Sequence, residues 1–277
     1  MPTDELQDPR AALNDQDPHA ALKDSEERRR RLRKQVARLK RRLKRAEDEL
    51  VSASSAPLSD ADRDLGYAFI VTYGRSGSTL LQGILSSSPG WLIRGENGDA
   101  MRSLYEFHRD CIAGRAQRTA AAAGDVTDAW FGMEDFPTAA SLRHIRALAL
   151  STILRPEPDT RVVGFKEIRW WHHDDLIEYA DFLRQVFPGA RFVVNTRRLE
   201  DVAKSKWWAD LDDPIATLTE YEKRILALRD HLGDDAFHVR YDDHVADPRT
   251  LAPLFEWLGE TYDDARVREV LARPHSY

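Results

Sequence analysis

One cysteine, Cys111, is all that the 277 residues contain, which excludes an intrachain disulfide and a cysteine zinc site and suits a reducing compartment. Cys111 itself reads as a small buried side chain. No apolar stretch approaches the roughly 20 residues that span a bilayer, and the N-terminal stretch, acidic and then strongly basic, lacks the apolar segment of a signal peptide. The chain is therefore expected to be cytoplasmic, with no membrane span.

Positive charge is scarce outside one segment. The formal net charge is −6, yet residues 28–45 hold twelve Lys and Arg and no acid, so the remainder of the chain carries −18. A polyanionic ligand must then be held by a few placed cations and backbone N–H groups, because there is no general positive field. Residues 1–24 are polar and poor in helix formers, and are expected to be disordered. Over residues 25–51, Leu22, Val36, Leu43 and Leu50 share one heptad position, and Leu32, Leu39 and Ala46 another. This short coiled-coil pattern is as compatible with a homodimer seam as with a solvated basic helix. Residues 52–65, small and polar around Pro57, read as a linker.

From residue 66 to 277 the pattern is that of one α/β domain. Tyr67–Tyr73 is a short β-rich apolar run ended by Gly74, and Thr79–Ser86 follows with helical spacing. Further strands are expected at Trp91–Arg94, Arg161–Phe165, Arg191–Asn195 and Phe237–Tyr241, with helices over Ser141–Leu154, Asp175–Phe187 and Ile215–Leu232 between them. That alternation predicts a P-loop-like three-layer domain with a mainly parallel central sheet, preceded by the N-terminal helix.

Two segments carry the chemistry. In Tyr73-Gly74-Arg75-Ser76-Gly77-Ser78-Thr79 the glycines permit a tight turn and close backbone approach, the hydroxyls add donors, and Arg75 adds a fixed charge at a helix N-terminus. Taken alone, the loop fits a structural turn as well as an anion site. The Lys-Ser/Thr ending of a nucleoside-triphosphate loop is absent, which weighs against a kinase or nucleotide hydrolase without removing it. In the second segment a strand ends in Asn195-Thr196-Arg197-Arg198, with Ser205 about two helical turns beyond. These arginines are equally readable as strand caps or as partners of Glu200 and Asp201.

Together, the two segments resemble the sulfotransferases that use 3′-phosphoadenosine 5′-phosphosulfate (PAPS), in the manner of bacterial and carbohydrate members. Val239–Pro248 and Leu254–Gly259 resemble that family's distal segments. The resemblance implies that Arg75, Ser76, Gly77, Ser78 and Thr79 bind the 5′-phosphosulfate, and Arg197 and Ser205 the 3′-phosphate. It implies a catalytic role for Arg75, a catalytic base at Glu96, and charge neutralisation by Lys166, with Arg169 nearer the acceptor. No metal is expected, since charge on the transferring group is met by cations. Leu80 stands where many animal members have Trp, so the adenine-stacking ring must come from elsewhere or be missing. The acceptor is expected to be a carbohydrate or small-molecule hydroxyl.

Other residues are weighed here as well. His108 is an alternative base, although an exposed helical residue is the simpler reading. His172-His173-Asp174-Asp175 has poor spacing for joint metal ligation. Trp170 and Trp171 suit an acceptor cleft or the core, and Trp207 and Trp208 suit packing or adenine contact. A nucleic-acid partner is not expected. The reading that would require one has the basic helix gripping nucleic acid or an anionic surface, with the α/β domain inert.

Overall fold

A computed structural model describes residues 64–117 and 126–273, together with Leu32, Gln35, Val36 and Lys40. The chain divides into residues 1–59 and 60–277. In the first unit the four described residues are helical and exposed. The tail 1–24, most of the heptad pattern in 25–51, and the linker up to residue 63 lie outside the described residues.

The second unit is built around three central strands that are buried on both faces. Strand β1 (Gly66–Val71) alternates Tyr67 and Phe69 with Ala68 and Ile70, and all four are buried. Phe69 meets Phe165, Phe187 and Phe192 at centroid distances of 4.7, 5.3 and 5.6 Å on one face. Ala68 and Ile70 join Leu81, Ile84 and Leu85 in the core of the other face. Full burial contributes roughly 1.5–3 kcal/mol for each large side chain, so this strand is a principal anchor of the fold.

In chain order the elements are β1, α1 (Ser78–Ser86), β2 (Trp91–Arg94), α2 (Ala100–Ala116), α3 (Thr138–Ala149), β3 (Val162–Glu167), α4 (Leu176–Val186), β4 (Arg191–Thr196), α5 (Leu199–Ala203), α6 (Pro214–Leu232), β5 (Ala236–Arg240), α7 (Tyr241–Ala246), α8 (Ala252–Trp257) and α9 (Asp264–Leu271). The sheet order is β2-β3-β1-β4-β5 and every pairing is parallel. All five strands therefore point their carboxyl ends at one edge, where open α/β sheets bind ligands. Gly164 of β3 allows β1 to approach, since a Cβ there would stand 1.6 Å from the Ala68 carbonyl oxygen.

Most expected elements are present within one or two residues; one helix departs further, and Tyr241 and Cys111 are placed otherwise than expected. The helix expected over Ser141–Leu154 begins at Thr138, and its last turn, Leu150–Leu154, widens to a π-turn ended by Arg155 at φ 45°. Strand β5 stops at Arg240, so Tyr241 begins a helix. Cys111 is half-buried, on α2. Among the described residues no helix is long and apolar enough to cross a membrane.

Candidate active site

The carboxyl edge of the sheet delivers its residues in spatial order. Glu96 follows β2, Lys166 lies at the end of β3, the loop 74–79 follows β1, Arg197 follows β4 and Tyr241 follows β5. All of these except Ser76 line one cavity of about 310 Å³, together with Leu80, Ile168, Lys206 and Trp207.

The loop gains its shape from buried polar contacts. Thr72 Oγ1 lies 2.6 Å from Ser76 Oγ and donates to the Asn195 carbonyl at 2.7 Å, while Asn195 Nδ2 donates to the Ser76 carbonyl at 3.0 Å. Arg75 and Gly77 both adopt positive φ, 70° and 79°. Gly77 sits at the N-cap of α1 without a side-chain cap bond, so the positive end of α1 opens toward the cavity. Ser78 and Thr79 line the cavity, whereas Ser76 is fully buried, with its hydroxyl engaged by Thr72.

Arg75, Arg197 and Ser205 are drawn together. Arg75 Nε donates to Ser205 Oγ at 2.7 Å, and Arg197 Nη1 donates to the Arg75 carbonyl at 3.1 Å. The Tyr73 hydroxyl accepts from the Arg197 backbone N–H at 3.1 Å and lies 3.0 Å from Glu222. Burial pushes this phenol well above its ordinary pKa, so it stays a neutral hydrogen-bonding strut. Tyr241 closes this end: its ring lies 4.5 Å from the Arg197 guanidinium and directly against Gly77. Arg198 points elsewhere, its backbone N–H on Asp242 and its guanidinium 3.8 Å from Asp201.

At the opposite end Lys166 Nζ donates to Glu96 Oε1 at 2.6 Å, and Arg169 Nη1 lies 3.5 Å from Glu96 Oε2. The residue that organises this end is Glu167, 3% exposed. Its Oε2 accepts from the backbone N–H groups of Asn97 and Asp99, and its Oε1 from those of Ile168 and Arg169 and from the Arg169 guanidinium. One buried carboxylate thus ties the Glu96 loop to the end of β3.

Several sequence expectations change. His108 is buried, not exposed: its Nδ1 lies 3.0 Å from Ser141 Oγ, its ring packs on Phe136 and Phe182, and burial lowers its pKa. It does not line the cavity. Trp170 is in the core and Trp171 stacks on Tyr221 at 4.0 Å, so neither lines the cavity. Trp208 is buried and donates to the Gly74 carbonyl at 3.0 Å, while Trp207 is a wall of the cavity. The His172–Asp175 run is dispersed: His173 pairs with Asp99 at 2.5 Å, Asp174 with Arg224 at 3.3 Å, and Asp175 with Arg102 at 2.6 Å. Tyr241, Glu167 and Lys206 were not placed in the site by sequence reasoning, because the only signal of their role is proximity across the fold; Trp207 was weighed there between packing and adenine contact, and it lines the cavity.

Comparison with known proteins gives the family. The model of a sulfotransferase family matches residues 68–264. Among solved structures, the sulfotransferase domain of the Synechococcus PCC 7002 olefin synthase is 21% identical, covering 77% of this chain and 78% of that one, with a TM-score of 0.47. A sulfotransferase from Mycobacterium avium is 16% identical, covering 77% of this chain and 69% of that one, with a TM-score of 0.43. No curated protein matches the chain significantly. The family match takes in the glycine loop, Glu96, Lys166, Arg197, Ser205 and Tyr241, and on this evidence the chain belongs to the sulfotransferase family.

Proposed function

We propose that the protein transfers a sulfuryl group from PAPS to the hydroxyl of a small molecule or carbohydrate, by in-line displacement, in the cytoplasm. The observation that carries this reading is one cavity with an uncapped helix N-terminus and Arg75 and Arg197 in one part, and the Lys166–Glu96 pair in the other. The cavity suits the donor chemically. Its anionic groups need N–H donors and cations in a chain that is otherwise acidic, and Gly77 keeps the wall free of a Cβ where Tyr241 closes in.

In this mechanism the backbone N–H groups of 75–79, with the Ser78 and Thr79 hydroxyls, hold the 5′-phosphosulfate, and Arg197 and Ser205 hold the 3′-phosphate. Glu96 takes the acceptor proton as the new oxygen–sulfur bond forms and the sulfur–oxygen bond to phosphate breaks. The electron pair of the broken bond stays on the phosphate oxygen, where Lys166 and Arg75 offset the charge. Ser76 contributes its backbone, its hydroxyl being held by Thr72. The test is transfer from radiolabelled PAPS to a panel of hydroxyl acceptors, with Glu96→Gln alongside. General-base catalysis is worth roughly 10²–10⁴-fold, so the variant should lose at least that range in turnover and keep its affinity for 3′-phosphoadenosine 5′-phosphate (PAP). Near-wild-type turnover would remove Glu96 from the mechanism.

A further inference from the structure

The two ends of the cavity each carry an aromatic ring, in different surroundings. Tyr241 stands at the β5 end, against Gly77 and beside Arg197. Trp207 leans across Gly74 toward the β3 end: a Cβ on Gly74 would lie 2.6 Å from Trp207 Cζ2 and 3.5 Å from Ile168 Cδ1. The indole and Ile168, two residues beyond Lys166 in the chain, therefore both approach Gly74 and both line the cavity there. Trp207 is 47% exposed, although its neighbour Trp208 is buried and pinned to the loop. Its N–H has no hydrogen-bond partner among the described residues. A large ring left half-bare on a cavity wall offers stacking area that nothing in the described chain covers.

Most polar groups at this end are engaged, the exceptions among the described residues being Lys206 and the buried Asn97 Nδ2. Glu96 is bound by Lys166, Asn97 Oδ1 accepts from the Ala100 N–H, Asp99 is bound by His173, and Glu167 is buried under five donors. A sugar, with hydroxyls on every side, would leave most of them unpaired against Trp207 and Ile168. A flat ring with one hydroxyl would cover the indole and bring that single oxygen to Glu96.

Resting on the donor reading above, we infer that Trp207 and Ile168 form the acceptor platform, and that the acceptor is a phenol-like alcohol on a flat apolar ring. Tyr241 is then the ring left for the donor nucleoside. Calorimetry with β-naphthol as the probe, on protein saturated with PAP, tests this. The wild-type protein binds β-naphthol at least about tenfold more tightly than methyl glucoside. Trp207→Ala weakens β-naphthol about tenfold without changing PAP affinity, and Trp207→Phe restores most of the loss. Ile168→Ala weakens β-naphthol in the same direction. The inference is overturned if β-naphthol does not bind, if methyl glucoside binds as well, or if Trp207→Ala leaves β-naphthol unaffected. It is equally overturned if Trp207→Ala weakens PAP instead, for the ring then belongs to the donor. PAP binding to the wild-type protein is read in a separate titration, so failure of the donor reading appears there first.

Discussion

Replacing Gly77 by Ala adds one methyl group at the point where the loop, the helix and Tyr241 converge. Two costs follow from the structure. At φ 79° an L-residue is in the left-handed region, which costs about 1 kcal/mol or more. The new Cβ would also stand 2.0 Å from Tyr241 Cδ2 and 2.2 Å from Cε2, where carbon atoms prefer about 3.5–4 Å, so the ring must retreat by roughly 1.5 Å. Retreat breaks its stacking on Arg197, worth about 0.5–1 kcal/mol, and disturbs its edge contact with the buried His244 at 5.5 Å. The expected loss is about 2–3 kcal/mol, a fall in Tm of roughly 5–10 °C for a domain of this size. Gly189→Ala is the control, with φ 76° but open space around it, and should cost only the backbone part. Calorimetric unfolding reads the stability, and titration with PAP reads the site. Affinity should fall at least tenfold in Gly77→Ala and stay unchanged in Gly189→Ala. Removing the ring as well, in Gly77→Ala/Tyr241→Ala, should leave no more loss of stability than the backbone cost added to that of Tyr241→Ala. If Gly77→Ala matches Gly189→Ala in Tm and binds PAP like the wild type, the convergence described here is wrong.

Glu167→Gln should lower kcat at least tenfold with little change in PAP affinity, because the amide cannot accept from both Asn97/Asp99 and Ile168/Arg169, and each unmet buried donor costs about 1–3 kcal/mol. An unchanged kcat would reduce Glu167 to a packing residue. Burial pushes the His244 imidazole down to about 4, against an ordinary value of 6.5. The folded state therefore resists a proton that the unfolded chain accepts, and stability present above about pH 6.5 is lost as pH falls toward 4, by up to about 3 kcal/mol. Burial of His108 and His238 acts in the same direction. Denaturant titrations from pH 7.5 to 4.5 should show this slope, and His244→Gln should flatten it by one proton. A slope unaltered by that substitution would place the effect elsewhere.

What was legible in the sequence was local. Central strands buried on both faces declare themselves as short β-branched and aromatic runs, and the half-buried β2 spans Trp91–Arg94 as expected. The glycine loop was readable as a candidate because it is a contiguous motif between β1 and α1, and Arg197 and Ser205 because they lie eight residues apart on either side of the short α5. Their direct linkage, Arg75 to Ser205 across 130 residues, had no local sign. Glu167 is adjacent to a predicted site residue, yet its five donors come partly from a loop some 70 residues away, and no periodicity encodes that. His108 reads as exposed from the sequence, but it shares a face of α2 with the buried Met101 and Tyr105, and Phe136 and Phe182 pack over it. Tyr241 looked like a strand end because it closes a β-rich run, but the chain turns into α7 there and brings the ring over Gly77.

The central claim, that this cavity receives a 3′-phosphorylated adenosine donor, is tested most directly by the ratio of affinities for PAP and 5′-AMP, which differ only in the 3′-phosphate. Charge-assisted bonds are worth roughly 1.5–3 kcal/mol each, so the wild-type protein should prefer PAP by at least about tenfold to a hundredfold. Arg197→Ala should shrink that preference, whereas Arg198→Ala should preserve it, since the Arg198 side chain is 62% exposed and directed toward Asp201. Equal affinity for PAP and 5′-AMP, or a preference abolished by Arg198→Ala and untouched by Arg197→Ala, would contradict the account.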